Sequence, residues 1–294
     1  MSSSYLLLGD LRVHYLGWNL EAVDQPVVLL HGLASNAQFW ELTAPFLARA
    51  GLRVLAPDLR GHGLTDKPDG DYGFDTYARD LASFLNALDL ERPLLVGHSW
   101  GAMLALDYAA RFPVGPRAPA GIVLVDGGIV QLDDFPEATW ETIRDRLAPP
   151  KLAGMPLETF LERLRSPNPR WQPDEHAVQI ILANFEIAED ETIYPRLTFE
   201  RHMQIVRAMW EFQTYVRFTQ VRCPALALPA RPSTPDSQME QEYLERKRGG
   251  AEKVLAANPE VRIHWMEDSI HDSPLQKPQA LAELILDFER SLSA

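Results

Sequence analysis

Cysteine is almost missing from this chain: Cys223 is alone among 294 residues, so no disulfide can form within it and a disulfide-stapled scaffold is excluded. Long apolar runs are missing too. Stretches such as Val27 to Leu30 and Gly121 to Val125 fall far short of the roughly 20 residues a membrane-spanning helix needs. Positive charge is scarce, with 28 Lys and Arg against 41 Asp and Glu and a formal net charge of -13. A polyanionic nucleic acid or an anionic lipid surface would repel such a chain, so neither is expected as a partner. Met1 to Val13 lacks the basic-then-apolar layout of a secretory signal. The expectation is a cytoplasmic protein, monomeric or homodimeric. Internal repeats and low-complexity tracts are also lacking.

What is present is enough apolar residue, 46%, to bury a large core. Short β-rich runs bounded by Gly, Pro and Asp lie at Tyr5 to Leu8, Leu11 to Trp18, Pro26 to Leu30, Arg53 to Pro57, Pro93 to Val96 and Gly121 to Val125. Between them, helical periodicity marks Ala37 to Ala50, Thr76 to Leu88 and Ala102 to Phe112. Alternating strands and helices, with nearly continuous apolar strands, predict an α/β fold. Its parallel sheet should be covered on both faces, with ligands at the carboxyl ends of the strands.

From about Val130 to Val216 helical segments take over, at Thr139 to Leu147, Leu157 to Leu164, Asp174 to Ala188 and Thr198 to Phe212. We read residues 130–216 as an inserted helical cap, with 1–129 and 217–294 forming the core. Alternation resumes with a strand at Ala225 to Leu228, a polar helix near Gln238 to Ala257, a strand at Val261 to Met266 and a helix from Pro278 to Leu292.

The chemistry-bearing motif is Gly97-His98-Ser99-Trp100-Gly101. An apolar strand, Leu94-Leu95-Val96, leads into it, and the helix-forming Ala102-Met103-Leu104-Ala105-Leu106 follows. G-x-S-x-G in that context places a serine on a sharp strand-to-helix turn, exposed for attack, with the helix N-terminus aimed at the reacting group. Together with His31-Gly32-Leu33 after one strand and Asp58-Leu59-Arg60-Gly61-His62-Gly63 after the next, it resembles the α/β-hydrolase family over nearly the whole chain.

That resemblance implies an α/β-hydrolase fold: a mostly parallel eight-stranded sheet, helices on both faces and a helical cap. It implies Ser99 as nucleophile and His271, in Ile270-His271-Asp272-Ser273-Pro274, as the base. The residues after His-Gly and after the nucleophile, Leu33 and Trp100, would give their backbone N–H groups to an oxyanion hole. Aspartate takes the nucleophile's place in dehalogenases and epoxide hydrolases, so the serine argues against both.

The acid departs from the family's usual pattern. After the strand that follows the cap the chain reads Leu228-Pro229-Ala230-Arg231-Pro232-Ser233, without a carboxylate, and the first one downstream is Asp236. A second position known in the family, after the strand that precedes the cap, is filled by Asp126. We take Asp126 as the acid and Asp236 as its alternative. Asp58, Arg60 and His62 read as loop ties, His98 as a local packing or hydrogen-bonding residue, and His264 as a satisfied histidine within its strand.

Apolar residues of the cap, Phe135, Trp140, Met155, Phe160, Trp171, Phe185, Met203, Met209 and Trp210, and Trp40 and Trp100 outside it, are candidates for a substrate pocket. The expected activity is hydrolysis of small to medium uncharged carboxylic esters through an acyl-enzyme, with neither cofactor nor metal. Lactonase, amidase or iminopeptidase, carbon–carbon bond hydrolase and perhydrolase activities use the same constellation, and a non-catalytic ligand receptor on this fold is the alternative of another class.

Overall fold

A computed structural model describes the chain except for Asp24, Pro169, Asp236, Ser293, Ala294 and the side chain of Met239. Its strands in chain order are β1 (Ser2–Leu8), β2 (Leu11–Trp18), β3 (Pro26–Leu30), β4 (Arg53–Pro57), β5 (Leu94–His98), β6 (Gly121–Val125), β7 (Met155–Pro156), β8 (Phe185–Ile187), β9 (Thr192–Pro195), β10 (Ala225–Leu228), β11 (Ala230–Arg231), β12 (Arg262–Ile263) and β13 (Met266–Glu267). The helices are α1 (Ala44–Arg49), α2 (Phe74–Ala87), α3 (Trp100–Arg111), α4 (Trp140–Leu147), α5 (Leu157–Arg165), α6 (Glu175–Leu182), α7 (Phe199–Glu211), α8 (Thr214–Gln220), α9 (Gln238–Ala257), α10 (Ser273–Gln276) and α11 (Pro278–Arg290).

Eight strands form one sheet in the order β1-β2-β4-β3-β5-β6-β10-β12, antiparallel at β1/β2 and β2/β4 and parallel from β4 onward. Every residue of β3, β5, β6 and β10 is buried, because both faces of the sheet are covered. Successive side chains of a strand point to opposite faces. Val28, Leu30, Leu95, Ile122 and Leu124 accordingly join α2, α3 and α8 in one core, while Val27, Leu29, Leu94, Val96 and Val123 join α1 and α11 in the other. The continuous apolar runs of the sequence are thus two alternating patterns superposed.

Between β6 and β10 the chain leaves the main sheet and builds a small cluster of its own, in which Phe160, Val178, Leu182, Phe185 and Ile193 are buried together. The sequence reading of this region as helices alone is corrected by a three-stranded sheet, β7-β9-β8. The helix expected from 174 to 188 stops at Leu182, and Phe185–Ile187 pairs antiparallel with Thr192–Pro195. Asp190 accepts hydrogen bonds from the Thr192 hydroxyl (2.6 Å) and backbone N–H (3.2 Å), tying the turn that makes the hairpin.

The strand expected at 261–266 is likewise two short strands, β12 on β10 and β13 on β11, interrupted at His264 and Trp265. His264 is therefore exposed rather than held within a strand. Among the described residues no helix is long and apolar enough to cross a membrane.

Candidate active site

Parallel strands β3, β5, β6 and β10 end along one edge of the sheet, and each following loop supplies part of the site. The turn after β5 is set by close backbone approaches. A Cβ on Gly97 would lie 2.2 Å from the Gly101 carbonyl oxygen, and one on Gly101 would lie 2.5 Å from the carbonyl oxygens of Leu30 and His31. Only glycine leaves room at both places. Ser99 between them takes φ 54° and ψ -117°, and its N–H donates to the Val125 carbonyl at 2.9 Å. Such strain in a non-glycine residue persists only where its surroundings impose it, and it aims the Ser99 side chain off the strand end.

Trp100 begins α3, so its N–H is among the helix-start donors that have no acceptor within the helix. Its indole packs inward, stacked on His62 and edge-on to Tyr77. Leu33 lies in the loop after β3, which is fastened at several points. His31 Nε2 accepts from the Leu59 N–H (3.0 Å), and Asp58 accepts from the N–H groups of Ala37 (2.6 Å) and Leu64 (2.8 Å) and from His14 Nδ1 (2.8 Å). Burial pushes the His31 pKa below that of an ordinary histidine, against the opposing pull of Asp58, so its acceptor lone pair is kept. Asp58 therefore serves as a loop tie, and Arg60 does the same through a two-pronged contact with Asp80 at 2.6 and 2.8 Å.

Asp126 follows β6 with its own positive φ of 44°. Its Oδ2 accepts from His271 Nδ1 at 2.6 Å, and its Oδ1 accepts from the Ala230 N–H at 2.7 Å and from Lys247 Nζ at 2.6 Å. Burial alone would raise its carboxyl pKa. The Lys247 charge and the His271 contact more than offset that, holding Asp126 below the usual carboxylate range. For His271, burial lowers and Asp126 raises, and Asp126 prevails, so the imidazole binds its proton more tightly than an ordinary histidine. Its side chain remains 48% exposed, open to the site. Asp236, the alternative acid, lies outside the described residues.

His98 corrects the expectation of a local role. Its Nε2 donates to the His271 carbonyl oxygen at 2.9 Å, across 173 positions of sequence, and its ring lies 4.7 Å from that of His271. Burial drives its pKa down to about 3, so it remains a neutral brace for the histidine loop. Lys247 is the site residue that sequence reasoning missed, and His98 the one whose reach to His271 it did not foresee. His98 sat in view inside the motif; nothing in the local pattern of α9 distinguishes Lys247 from its neighbours.

Ser99 opens on two cavities. The larger, about 330 Å³, is bordered by Leu33, Ser99, His271 and Asp272 and by Leu164, Ile180, Ile181 and Asn184 from the segment between β6 and β10. The smaller, about 70 Å³, lies toward Trp100, Met103, Ile129 and Met209. Of the expected pocket residues, Trp100, Phe135 and Met209 border the smaller cavity, whereas Trp40, Trp140, Phe185 and Trp210 border neither. Trp40 is fully buried in the core beneath α1, Trp140 is half-buried against the Arg207 guanidinium, and Trp210 is half-buried on α7. Phe185 packs on Phe160 and lines a separate cleft of about 870 Å³, which adjoins the Ser99 chamber at Ala34 and Asn184. Helical spacing marked these residues as apolar, and packing among helices took them.

A serine elbow, a histidine after the last strands and an aspartate paired to it, on a parallel sheet wound with helices, define a hydrolase-type site. The chain belongs to the alpha/beta hydrolase family, whose model matches residues 27–284. It is 38% identical over 107 residues to a Mycobacterium tuberculosis protein (36% of this chain, 30% of that one). It is 36% identical over 138 residues to a non-heme chloroperoxidase of Streptomyces lividans (47% of this chain, 44% of that one). The chain thus spans less than half the length of these curated relatives. The crystal structure of E-2-(acetamidomethylene)succinate hydrolase superposes with a TM-score of 0.75 at 20% identity, covering 98% of this chain and 99% of the other.

Proposed function

We propose that the protein is a serine hydrolase of small to medium uncharged carboxylic esters, working through an acyl-enzyme. The observation that carries this reading is the convergence of Ser99, in its strained turn, with the Asp126-paired His271 on one chamber. Ser99 Oγ attacks the acyl carbon while His271 Nε2 takes its proton, and the N–H groups of Leu33 and Trp100 receive the developing oxyanion. His271 then gives that proton to the departing alcohol oxygen. Water, deprotonated in turn by His271, releases the acid and restores Ser99. Asp126 holds Nδ1–H and stabilises the imidazolium. No step calls for a cofactor or metal.

The chamber's surroundings favour a neutral substrate. Apart from His271, its described lining residues include no cationic side chain, and Asp272 supplies a carboxyl beside the histidine. A carboxylate-bearing substrate would meet repulsion there. We propose residues 130–216 as the cap over this chamber and 1–129 with 217–294 as the core, since Leu164, Ile180 and Asn184 reach the chamber from the inserted segment.

The test is turnover of p-nitrophenyl esters of increasing acyl length. The wild type should release nitrophenolate with a pre-steady-state burst, and Ser99→Ala should lose activity by a factor on the order of 10⁶. Equal turnover by Ser99→Ala would overturn the reading.

A further inference from the structure

The buried lysine behind the acid has no part in the reaction just described, yet its placement is specific. Lys247 comes from the middle of α9, and its side chain is only 8% exposed. Nζ lies 2.6 Å from Asp126 Oδ1 and 2.9 Å from the Ala230 carbonyl oxygen, and 4.7 Å above the Tyr243 ring. Each oxygen of Asp126 therefore has its own cationic or N–H partner, Lys247 and the Ala230 N–H on Oδ1 and His271 on Oδ2.

We propose that Lys247 is a positioning residue of this site, pinning Asp126 Oδ1 so that Oδ2 faces His271 Nδ1, and offsetting part of the carboxylate's field at the imidazole. The proposal rests on the triad reading above and adds to it a tuning group. Asp126 raises the imidazole's proton affinity, and the Lys247 charge acts in the opposite sense.

The other groups facing the pair leave this offset to Lys247. On the His271 loop, Asp272 is half-buried, and desolvation raises its carboxyl pKa despite the nearby imidazole. From β5, His98 is neutral through burial. From α9, Tyr243 has its pKa raised by burial and by Asp126, so its hydroxyl is neutral, and from α4 the Arg146 charge acts on that hydroxyl. Lys247 is the cation in contact with Asp126 besides His271 among the described residues.

The experiment is an NMR titration of the His271 ring, run beside the pH profile of kcat/KM on p-nitrophenyl butyrate, for wild type, Lys247→Met and Lys247→Gln. Removing a cation this close to an ion pair should raise the His271 midpoint by about one pH unit or more in both variants. The acid limb of kcat/KM should follow it, giving about a tenfold loss at pH values below the limb. Lys247→Gln keeps N–H donors for Asp126 and Ala230, so it separates charge from contact if Lys247→Met fails to fold. A folded variant with an unmoved midpoint would overturn the proposal, as would a Gln variant that cannot fold, since the charge would then serve folding alone. If the wild type turns over no ester, the functional reading fails, while the titration still decides the role of Lys247.

Discussion

Asp126 carries more of the site's electrostatics than any other side chain. It is fully buried, and an unpaired carboxylate there would cost several kcal/mol. Lys247, His271 and the Ala230 N–H share it, and its pKa is consequently depressed. The sign of the linkage follows: a depressed carboxyl pKa contributes stability that is present above the unfolded aspartate value and is lost as pH falls through the folded one. His271 runs oppositely. Its raised pKa contributes stability below the unfolded histidine value of 6.5, lost as pH rises through the folded one. Activity needs the neutral imidazole, so its acid limb should lie above 6.5 even though protonation favours the fold. Asp126→Asn should lower kcat by about 10⁴-fold, because the amide cannot fix the imidazole tautomer. Steady-state kinetics on a variant with wild-type circular dichroism checks this, and retention of activity would move the acid's role elsewhere.

At the scale of elements, the turn between β5 and α3 is the most constrained piece of the chain. Strand, elbow and helix pack so closely that Gly97 faces the carbonyl of Gly101 with no space for a methyl group. Neither side can yield, since both are backbone inside a fully buried strand and a helix start. Gly97→Ala should therefore cost about 3 kcal/mol or more of stability, the range of severe backbone clashes. Thermal unfolding would show this as a large drop in Tm, and an unchanged Tm would refute the packing argument. This element was legible in the sequence because its glycine spacing, apolar strand and helical continuation all agree. The hairpin β8/β9 was not, since Asp174 to Ala188 carries apolar residues at helical spacing until Leu182. Only pairing with Thr192–Pro195, across the turn at Asp190, makes Phe185–Ile187 a strand.

Across the whole molecule, what the sequence disclosed is what local chemistry enforces. The sheet's buried strands and the Ser99 turn carry their own local signature, while His271 and Asp126 were named through the family resemblance. What it concealed arises from contacts between remote segments. Lys247 reaches Asp126 across 121 positions, and His98 reaches His271 across 173. The aromatic residues chosen for the pocket shared its apolar character, but Trp40 and Phe185 were drawn into separate cores. The chamber instead uses ordinary aliphatics, Leu164, Ile180 and Ile181, whose positions depend on how the inserted segment lies over the sheet. Further ties fix that placement: Asn36 donates to Asn184 at 2.5 Å, and Arg201 donates to the Lys67 carbonyl at 2.7 Å. The central claim is that this assembled surface makes one serine nucleophilic. It is tested most directly by reacting the protein with a fluorophosphonate and mapping the adduct by peptide mass spectrometry. The account predicts a single phosphonylated residue, Ser99, with labelling suppressed in His271→Ala. No adduct, or an adduct on another residue, would contradict it.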